Sequence, residues 1–453
     1  GEGSTGVKVE GGASGTITAD ASLELSGDGA TAGIVDGNYY GLDGIATGAT
    51  GKSVLTSSAV LTTGNTASGA YGYIARNGGE LIHNGSIDFT QAGSTGVLVD
   101  GGILTNQNLI TVNGTAVNIQ GANSTVNNSG TVNATDGTAA YLLGAGASLT
   151  LSGNGETKAG GTAHGVLLDT GATALTVDGA TITMTAGGTG NAIENKAEIT
   201  GIQLKDTSLT VGNGAGIRTG ASLAATNSGT INVNGSGTGI LFANTGDTIT
   251  DNTLDMSDSA GLVINVNSAA GKGIVTNSRQ DLKTGASVNV NDAAGGAALI
   301  VKGTTGRVEQ SGNLISTSLT SPVVDINNGY VTSFVNSGTI QANSATQQAV
   351  VTNTGTGLAF TNATGGTIVG KVDLLAGNNT VTLMQGSKGT DFTTGSGDDA
   401  FILKGLTLAD TGVFSSLNGG TGSDTLTLDS SLYTLSDADA IQNMEYINLI
   451  NNS

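Results

Sequence analysis

Charged side chains are scarce in this sequence, yet those in its middle recur at spacings that predict one extended polar surface. Charged residues make up 11% of the 453-residue chain. Turn-like segments towards both ends hold Asn, Ser and Gly, whereas the equivalent segments between them hold Asp, Lys, Arg and Glu. We call the latter the charged corner column and predict that its side chains, with one amide, bind a ligand: Asn106, Asp178, Lys205, Asp206, Asp251, Arg279, Asp281 and Glu309. Stacked carboxylates, amides and cations offer charge-assisted hydrogen bonds to hydroxyl, carboxylate or sulfate groups of a long polar chain.

A basic cluster overlaps this column and holds five of the 15 Lys and Arg residues: Lys272, Arg279, Lys283, Lys302 and Arg307. Lys272 and Lys302 are separated by about one long repeat, and so are Arg279 and Arg307, so that each pair is predicted to be neighbours. In a chain of net charge −20 this local reversal predicts an anchor for a sulfated or uronic polysaccharide. The alternative is that these cations pair with Asp281, Asp292 and Glu309 and only keep the surface solvated.

Two Gly- and Asp-rich segments near the C-terminal end match a calcium-binding nonapeptide in part. The segment Thr394–Leu403 recurs 25 residues later as Gly419–Leu428, so that Asp399 corresponds to Asp424, and Asn379 takes the Asp position one shorter repeat earlier. A calcium roll repeats its motif every nine residues or so. The spacing therefore predicts three stacked corners, with calcium as the alternative, and neither a cofactor nor a metal site is predicted.

Enzymatic activity is an alternative interpretation of the same charges. A glycoside hydrolase needs two positioned carboxylates, and a lyase needs a base and a cation. Five side chains could supply these groups: Lys205, Asp206, Asp251, Arg279 and Asp281. No motif singles them out, and the absence of Trp removes the usual platform for a sugar ring. His83 and His164 are far apart in the sequence and predict neither a metal site nor a general base, so we expect non-catalytic binding.

A recurring phrase indicates which elements position these side chains. NSGTI stands at Asn227–Ile231 and Asn336–Ile340, and NSGTV stands at Asn128–Val132. Around each phrase, short apolar runs alternate with Gly and Asn turns, and most repeats span roughly 22 to 28 residues, which is typical of a solenoid. Three β-branched runs per repeat predict an all-β fold, a single right-handed parallel β-helix of roughly 17 coils. Asn and Gly are predicted to give each corner a left-handed backbone, Thr to point outward and Ile to point into the core.

The final apolar residue of each repeat predicts one interior column: Ile87, Ile110, Val132, Ile182, Leu209, Ile231, Leu254, Ile340 and Ile368. Aromatic residues make up only 3% of the chain, which suits a narrow interior with little room for rings. A single Pro among 76 Gly excludes collagen. The net charge of −20 argues against a nucleic-acid partner, which would need a basic face.

Four segments resemble those of a known family: NNSGTVNAT at Asn127–Thr135, TNSGTINVN at Thr226–Asn234, FVNSGTIQANS at Phe334–Ser344 and LNGGTGSDTLTLD at Leu417–Asp429. They look like passenger segments of Gram-negative autotransporter adhesins of the AIDA type, and the resemblance covers nearly the whole chain. It implies a secreted β-helix displayed on the bacterial outer membrane by a C-terminal β-barrel, which we do not find in this sequence.

The resemblance also implies how the chain is organised and what it does. We expect N-terminal coils with a loop or cap in residues 1–69, regular coils in 70–370 and Gly/Asp-rich coils in 371–453. We expect a cell-surface or secreted adhesin that binds host extracellular glycans such as glycosaminoglycans, and a host matrix protein such as fibronectin. Within the site, Lys205 and Arg279 are expected to contribute most to glycan binding, because the net charge of −20 opposes an anionic ligand and the cations must supply the attraction. One alternative is self-association in aggregates or biofilms through Asn- and Thr-rich side faces, and another is a polysaccharide lyase or hydrolase on the same fold.

Overall fold

The computed structural model confirms the predicted fold class, because the chain is all-β and its parallel strands stack as a β-solenoid of about 16 turns. The structure describes residues 2–40, 46–47, 51–65, 67–153, 155–243, 253–278, 280–303, 306–326, 331–352, 355–435, 437, 439–451 and 453. Over these residues the chain contains no helix, and therefore none that could cross a membrane. It divides into two compact units, Gly1–Thr219 and Gly220–Ser453.

A full coil carries three strands, and we number the faces that they form as faces 1, 2 and 3 in order along the coil. In the first unit, face 1 consists of Ser14–Ile17, Val54–Ser57, Glu80–His83, Ile103–Asn106, Thr125–Asn128, Ser148–Ser152, Ala174–Asp178 and Gln203–Lys205. Face 2 contains Ser22–Leu25, Val60–Thr63, Glu156–Ala159, Thr181–Met184 and Thr207–Val211. Face 3 contains Thr5–Glu10, Thr31–Asp36, Tyr71–Arg76, His164–Leu168, Ile193–Asn195 and Ala215–Thr219. Three long strands run through faces 2 and 3: Ser86–Asp100, Leu109–Gln120 and Thr131–Leu143. A short antiparallel pair joins Tyr39–Tyr40 to Ala46–Thr47.

The second unit repeats this order and then loses one strand per coil. Its face 2 consists of Ser228–Val233, Gly261–Val266, Ser287–Val290, Asn313–Ser316, Thr339–Gln341 and Thr367–Val369. Face 3 consists of Thr238–Phe242, Lys272–Thr276, Leu299–Val301, Val324–Asp325, Gln348–Val351, Lys371–Asp373, Asp391–Thr393, Ser416–Asn418 and Ile441–Gln442. Face 1 consists of Leu254–Met256, Leu282–Thr284, Arg307–Gln310, Ser333–Asn336, Ala359–Asn362, Thr380–Met384, Ala400–Lys404, Thr425–Asp429 and Tyr446–Ile450. Beyond residue 370 the described strands belong to faces 3 and 1 only.

The predicted interior column forms on face 2, because parallel pairing places like residues above one another. Ile87 pairs with Ile110 and Ile110 with Val132, and all three are fully buried. In the second unit the buried column runs through Ile231, Ile264, Val288, Leu314, Ile340 and Ile368.

Leu254 is buried as predicted, but its assignment to this column was wrong. It lies on face 1, where it pairs with Leu282. The face-2 partner of Ile231 is Ile264, 33 residues later, because this coil is longer than the usual repeat. A residue at the expected spacing therefore falls on the wrong strand.

Aromatic rings also enter the interior, against the expectation from composition. Phe334 and Phe360 occupy paired positions on face 1, with ring centroids 5.5 Å apart and an interplanar angle of 6°. Phe392 continues the contact from face 3, with its centroid 6.3 Å from that of Phe360. Parallel pairing places equivalent positions of neighbouring coils next to each other. An aromatic ring therefore fits in the interior where the neighbouring coil also carries a ring.

The glycines of two NSG corners are needed for close approach between coils, and the predicted left-handed backbone occurs at the third corner, where Gly229 has a φ of +119°. A Cβ on Gly130 would lie 2.0 Å from the carbonyl oxygen of Asn108, and one on Gly338 would lie 2.0 Å from that of Gly312. Neither glycine has φ in the left-handed region. The inward Ile of the NSGTI segments is confirmed by the burial of Ile231 and Ile340, and the preceding Thr230 and Thr339 are partly exposed.

Candidate functional site

The residues of the charged corner column are distributed over both units. In the first unit, face 1 stacks Ser152, Asp178 and Lys205 in register. Lys205 Nζ donates to Asp178 Oδ2 at 3.0 Å, and the Lys205 side chain is 58% exposed. This hydrogen bond and the charge of Asp178 raise the pKa of Lys205, with a smaller contribution from the neighbouring Asp206. Asp178 therefore neutralises the charge of Lys205, and this part of the charged corner column carries no net positive charge.

Cations are also paired with carboxylates on face 1 of the second unit. Asp255, Lys283 and Glu309 stand in register. Lys283 Nζ lies 3.8 Å from Glu309 Oε2, and Arg307 donates to Glu309 Oε1 at 2.7 Å. The backbone N–H of Arg307 donates to Asp281 Oδ1 at 2.9 Å. Two of the five cations of the basic cluster, Lys283 and Arg307, thus share the Glu309 carboxylate.

Two cations of the basic cluster differ from the others. Lys272 begins a strand of face 3, its side chain is half-buried, and its Nζ donates to the carbonyl oxygen of Ala270 at 3.0 Å. Burial and the nearby charge of Lys302, in that order, lower the pKa of Lys272. Within the part of the chain that the structure describes, neither lysine forms an ion pair. Lys272 and Lys302 lie on neighbouring coils as predicted, but they are out of register: Lys272 begins its strand, whereas Lys302 follows Val301, which pairs with Thr276 at the other end of that strand.

The remaining predicted residues lie elsewhere. Asn106 is fully buried, so it does not belong to the exposed column. It stacks with Ser57, His83 and Asn128 on the inner side of face 1. Its Nδ2 donates to Asn128 Oδ1 at 2.8 Å and to the carbonyl oxygen of Asn108 at 2.9 Å. Asp251 and Arg279 lie outside the described residues.

An external amide surface lies outside the predicted site residues, although Asn-rich side faces belong to the alternative of self-association. On face 2 of the second unit, Asn289 Nδ2 donates to Asn265 Oδ1 at 3.2 Å and Asn265 Nδ2 to Asn232 Oδ1 at 3.1 Å. A second, exposed row repeats this arrangement: Asn234, Asn267 and Asn291. We call these two rows the external Asn ladders. The signal in the sequence was the recurrence of Asn-Val-Asn at residues 232–234, 265–267 and 289–291.

The Gly- and Asp-rich segments form stacked corners, as the spacing predicts. The backbone N–H of Asn379 donates to Asp399 Oδ1 at 2.6 Å, that of Asp399 to Asp424 Oδ1 at 2.9 Å, and that of Asp424 to Glu445 Oε2 at 2.7 Å. Burial raises the pKa of both Asp399 and Asp424, and a neighbouring carboxylate adds to each shift. No group of three metal-ligating side chains suited to a metal ion occurs among the described residues.

Both histidines are at least partly buried and contact other residues of the fold. His83 is fully buried, and burial lowers its pKa to about 4. His164 Nδ1 accepts the backbone N–H of Asn191 at 3.0 Å. The Asn191 side chain also bonds to buried Glu194, which pairs with Arg218. This network joins three consecutive coils of face 3 around one buried carboxylate.

Comparisons of the chain with protein-family models, with curated proteins and with solved structures find no match in any of the three.

Proposed function

We propose that the protein is a non-catalytic bacterial surface adhesin whose β-solenoid binds an anionic extracellular glycan of the glycosaminoglycan type. The observation that supports this most directly is that Lys272 and Lys302, on neighbouring coils of face 3, form no ion pair among the described residues. A sulfate or carboxylate of a glycan would supply the anion that the protein does not provide to these two lysines.

The fold supports this proposal because a solenoid presents side chains at fixed intervals. Successive coils place equivalent residues one strand spacing, about 4.8 Å, apart, and the ladder holds them rigidly. Little ordering cost then falls on the protein when a long chain binds. Each contact is partly exposed, so we expect affinity that grows with glycan length and falls with salt. Display on the outer membrane rests on the resemblance to AIDA-type passengers and is part of the same proposal.

Self-association is the second candidate, and the external Asn ladders favour it. Asn232, Asn265 and Asn289 carry no charge, and each amide is both a donor and an acceptor. Two copies of a chain with net charge −20 repel each other, and an uncharged face lets them approach with the least repulsion.

The experiment that tests the proposal measures binding of heparin-derived oligosaccharides by calorimetry at low and at physiological salt. A desulfated oligosaccharide of equal length is the matched control. We expect binding of the sulfated form, weakening with salt, and much weaker binding of the desulfated form. Sedimentation of the pure protein is run beside it. A monomer that binds no sulfated glycan contradicts the proposal, and reversible oligomers without glycan binding support self-association in its place.

A further inference from the structure

Face 1 of the first unit is interrupted between two neighbouring coils. The strands up to Thr125–Asn128 form one sheet, and those from Ser148–Ser152 onward form another. Cα atoms of these two strands come within 8 Å of each other. Strands that are hydrogen-bonded lie about 4.8 Å apart, and a strand inserted between two others needs about 9.6 Å. The two edges are therefore not joined by a ladder, yet they leave no room for another strand.

The interruption opens as a cleft with an outer and an inner part. The outer part has a volume of about 330 Å³ and lies between residues 124–127 on one wall and 148–152 on the other. Hydroxyl and amide groups dominate its lining, which has no charged and no aromatic side chain. The inner part, about 20 Å³, reaches Asn128 and Thr157 and has room for one water or one hydroxyl group.

A buried hydroxyl without a partner lies next to the inner part. Thr157 is buried and replaces an aliphatic residue in the interior column, where it pairs with Val132 and Ile182. The Tyr141 hydroxyl is fully buried and lies beside Thr157 and Asn128, but no hydrogen bond of normal geometry satisfies it. A buried polar group left unpaired costs about 1–3 kcal/mol. Such a group next to a small polar cavity indicates a site for a hydroxylic guest.

We propose that this cleft binds a segment of a neutral saccharide chain, with one sugar hydroxyl entering the inner part. A hydroxyl both donates and accepts, so it matches the Thr157 hydroxyl and the Asn128 amide, which line the inner part and lie beside the Tyr141 hydroxyl. An anionic sugar would lose hydration without gaining a cation, because the lining is uncharged. An extended peptide would need the width of a full strand. This site and its ligand are independent of the proposed glycosaminoglycan binding, which rests on lysines of the second unit.

Calorimetry with cellohexaose, maltohexaose and a mannan hexasaccharide tests the proposal, with a heparin hexasaccharide and an eight-residue Val/Thr peptide as the charged and strand-forming probes. Thr150→Val removes a hydroxyl from the cleft wall. Thr176→Val is the matched control, because Thr176 is paired with Thr150 one coil further on, where face 1 is continuous. We expect at least one neutral hexasaccharide to bind, about tenfold weaker binding by Thr150→Val, and a change below twofold in Thr176→Val.

The Tyr141→Phe variant distinguishes an effect on saccharide binding from an effect on folding. It removes a buried hydroxyl that has no partner, so thermal stability without ligand is expected to stay equal or to rise, while affinity for the neutral hexasaccharide falls. The proposal is overturned if no neutral hexasaccharide binds the parent protein, if Thr150→Val and Thr176→Val lose affinity equally, or if the peptide alone binds.

Discussion

Asparagine ladders occur both inside and outside the second unit, and the same hydrogen bond has different consequences in the two places. Inside, Asn336 Nδ2 donates to Asn362 Oδ1 at 2.9 Å, and both residues are fully buried. Outside, Asn265 Nδ2 donates to Asn232 Oδ1 at 3.1 Å on a face that water reaches. Water replaces a lost partner only outside, so the inner ladder holds the corners together, while the outer ladder keeps bonding capacity for a partner molecule.

The strongest test of this comparison is Asn336→Ala. It leaves the buried Asn362 Oδ1 without its donor, whereas the carbonyl oxygen of Gly338 keeps the backbone N–H of Thr367 at 2.8 Å. We expect a loss of about 2 kcal/mol in unfolding free energy, since a buried acceptor left unpaired carries the desolvation penalty. Hydrogen exchange should show the loss in the coils around residue 336. A change below about 0.5 kcal/mol would show that the inner ladder does not hold the corners.

His83 belongs to the inner column of the first unit and adds a dependence on pH. Its folded pKa of about 4 lies below the ordinary 6.5, so the unfolded chain takes up the proton first. The stability that neutral His83 contributes is complete above pH 6.5 and is lost as the pH falls from 6.5 towards 4. His83→Asn continues the column with the residue type of Asn106. Urea midpoints between pH 7 and 4.5 should therefore fall less in the variant, and parallel curves would contradict the assignment.

Asp399→Asn is expected to raise the stability of the protein, by less than Asn336→Ala lowers it. The buried Asp399 carboxyl has a raised pKa, so its contribution to stability is present below the unfolded value near 3.8 and is lost as the pH rises. At the equivalent position, Asn379 Nδ2 donates to the carbonyl oxygens of Gly377 and Thr394 at 2.8 and 3.1 Å. An amide at residue 399 should find similar acceptors and stabilise the protein by about 1 kcal/mol at pH 7. Equal stability of parent and variant at pH 7 would contradict this.

The smallest stability effect is expected from the external ladder. Asn265→Ala should change unfolding free energy by less than about 0.5 kcal/mol, because water replaces the lost amide. If this face mediates self-association, the same variant should reduce the sedimentation coefficient of concentrated samples. A loss comparable to that of Asn336→Ala would remove the distinction between inner and outer ladders.

The sequence predicted the fold well because a solenoid repeats its own pattern. Ile87, Ile110 and Val132 follow one period and stack as expected, whereas Leu254 was misplaced because one long coil breaks that period. The candidate site was harder, since spacing alone cannot show which side chains meet. Asp178 and Lys205 recur at one corner and do pair, but Asn106 recurs in the same pattern and faces inward. The interruption of face 1 had no sequence signal, because only coordinates show that two strands fail to pair.

A second comparison, between Lys205 of the charged corner column and two lysines of the basic cluster, concerns glycan binding. Lys205 is compensated by Asp178, whereas neither Lys272 nor Lys302 forms an ion pair among the described residues. If a lysine without an ion-pair partner attracts the glycan more strongly than a paired lysine, replacing Lys272 and Lys302 must weaken glycan binding more than replacing Lys205. All three side chains are at least partly exposed, so exposure alone does not explain such a difference.

Affinity for a sulfated heparin oligosaccharide in Lys272→Ala with Lys302→Ala, compared with Lys205→Ala, tests the central claim most directly. The double variant should lose roughly 1–3 kcal/mol of binding free energy, the scale of charge-assisted hydrogen bonds, with an unchanged circular-dichroism spectrum. The Lys205→Ala variant should lose much less, because Asp178 already compensates that charge. Parent-like affinity in the double variant, or an equal loss in both proteins, would contradict the account.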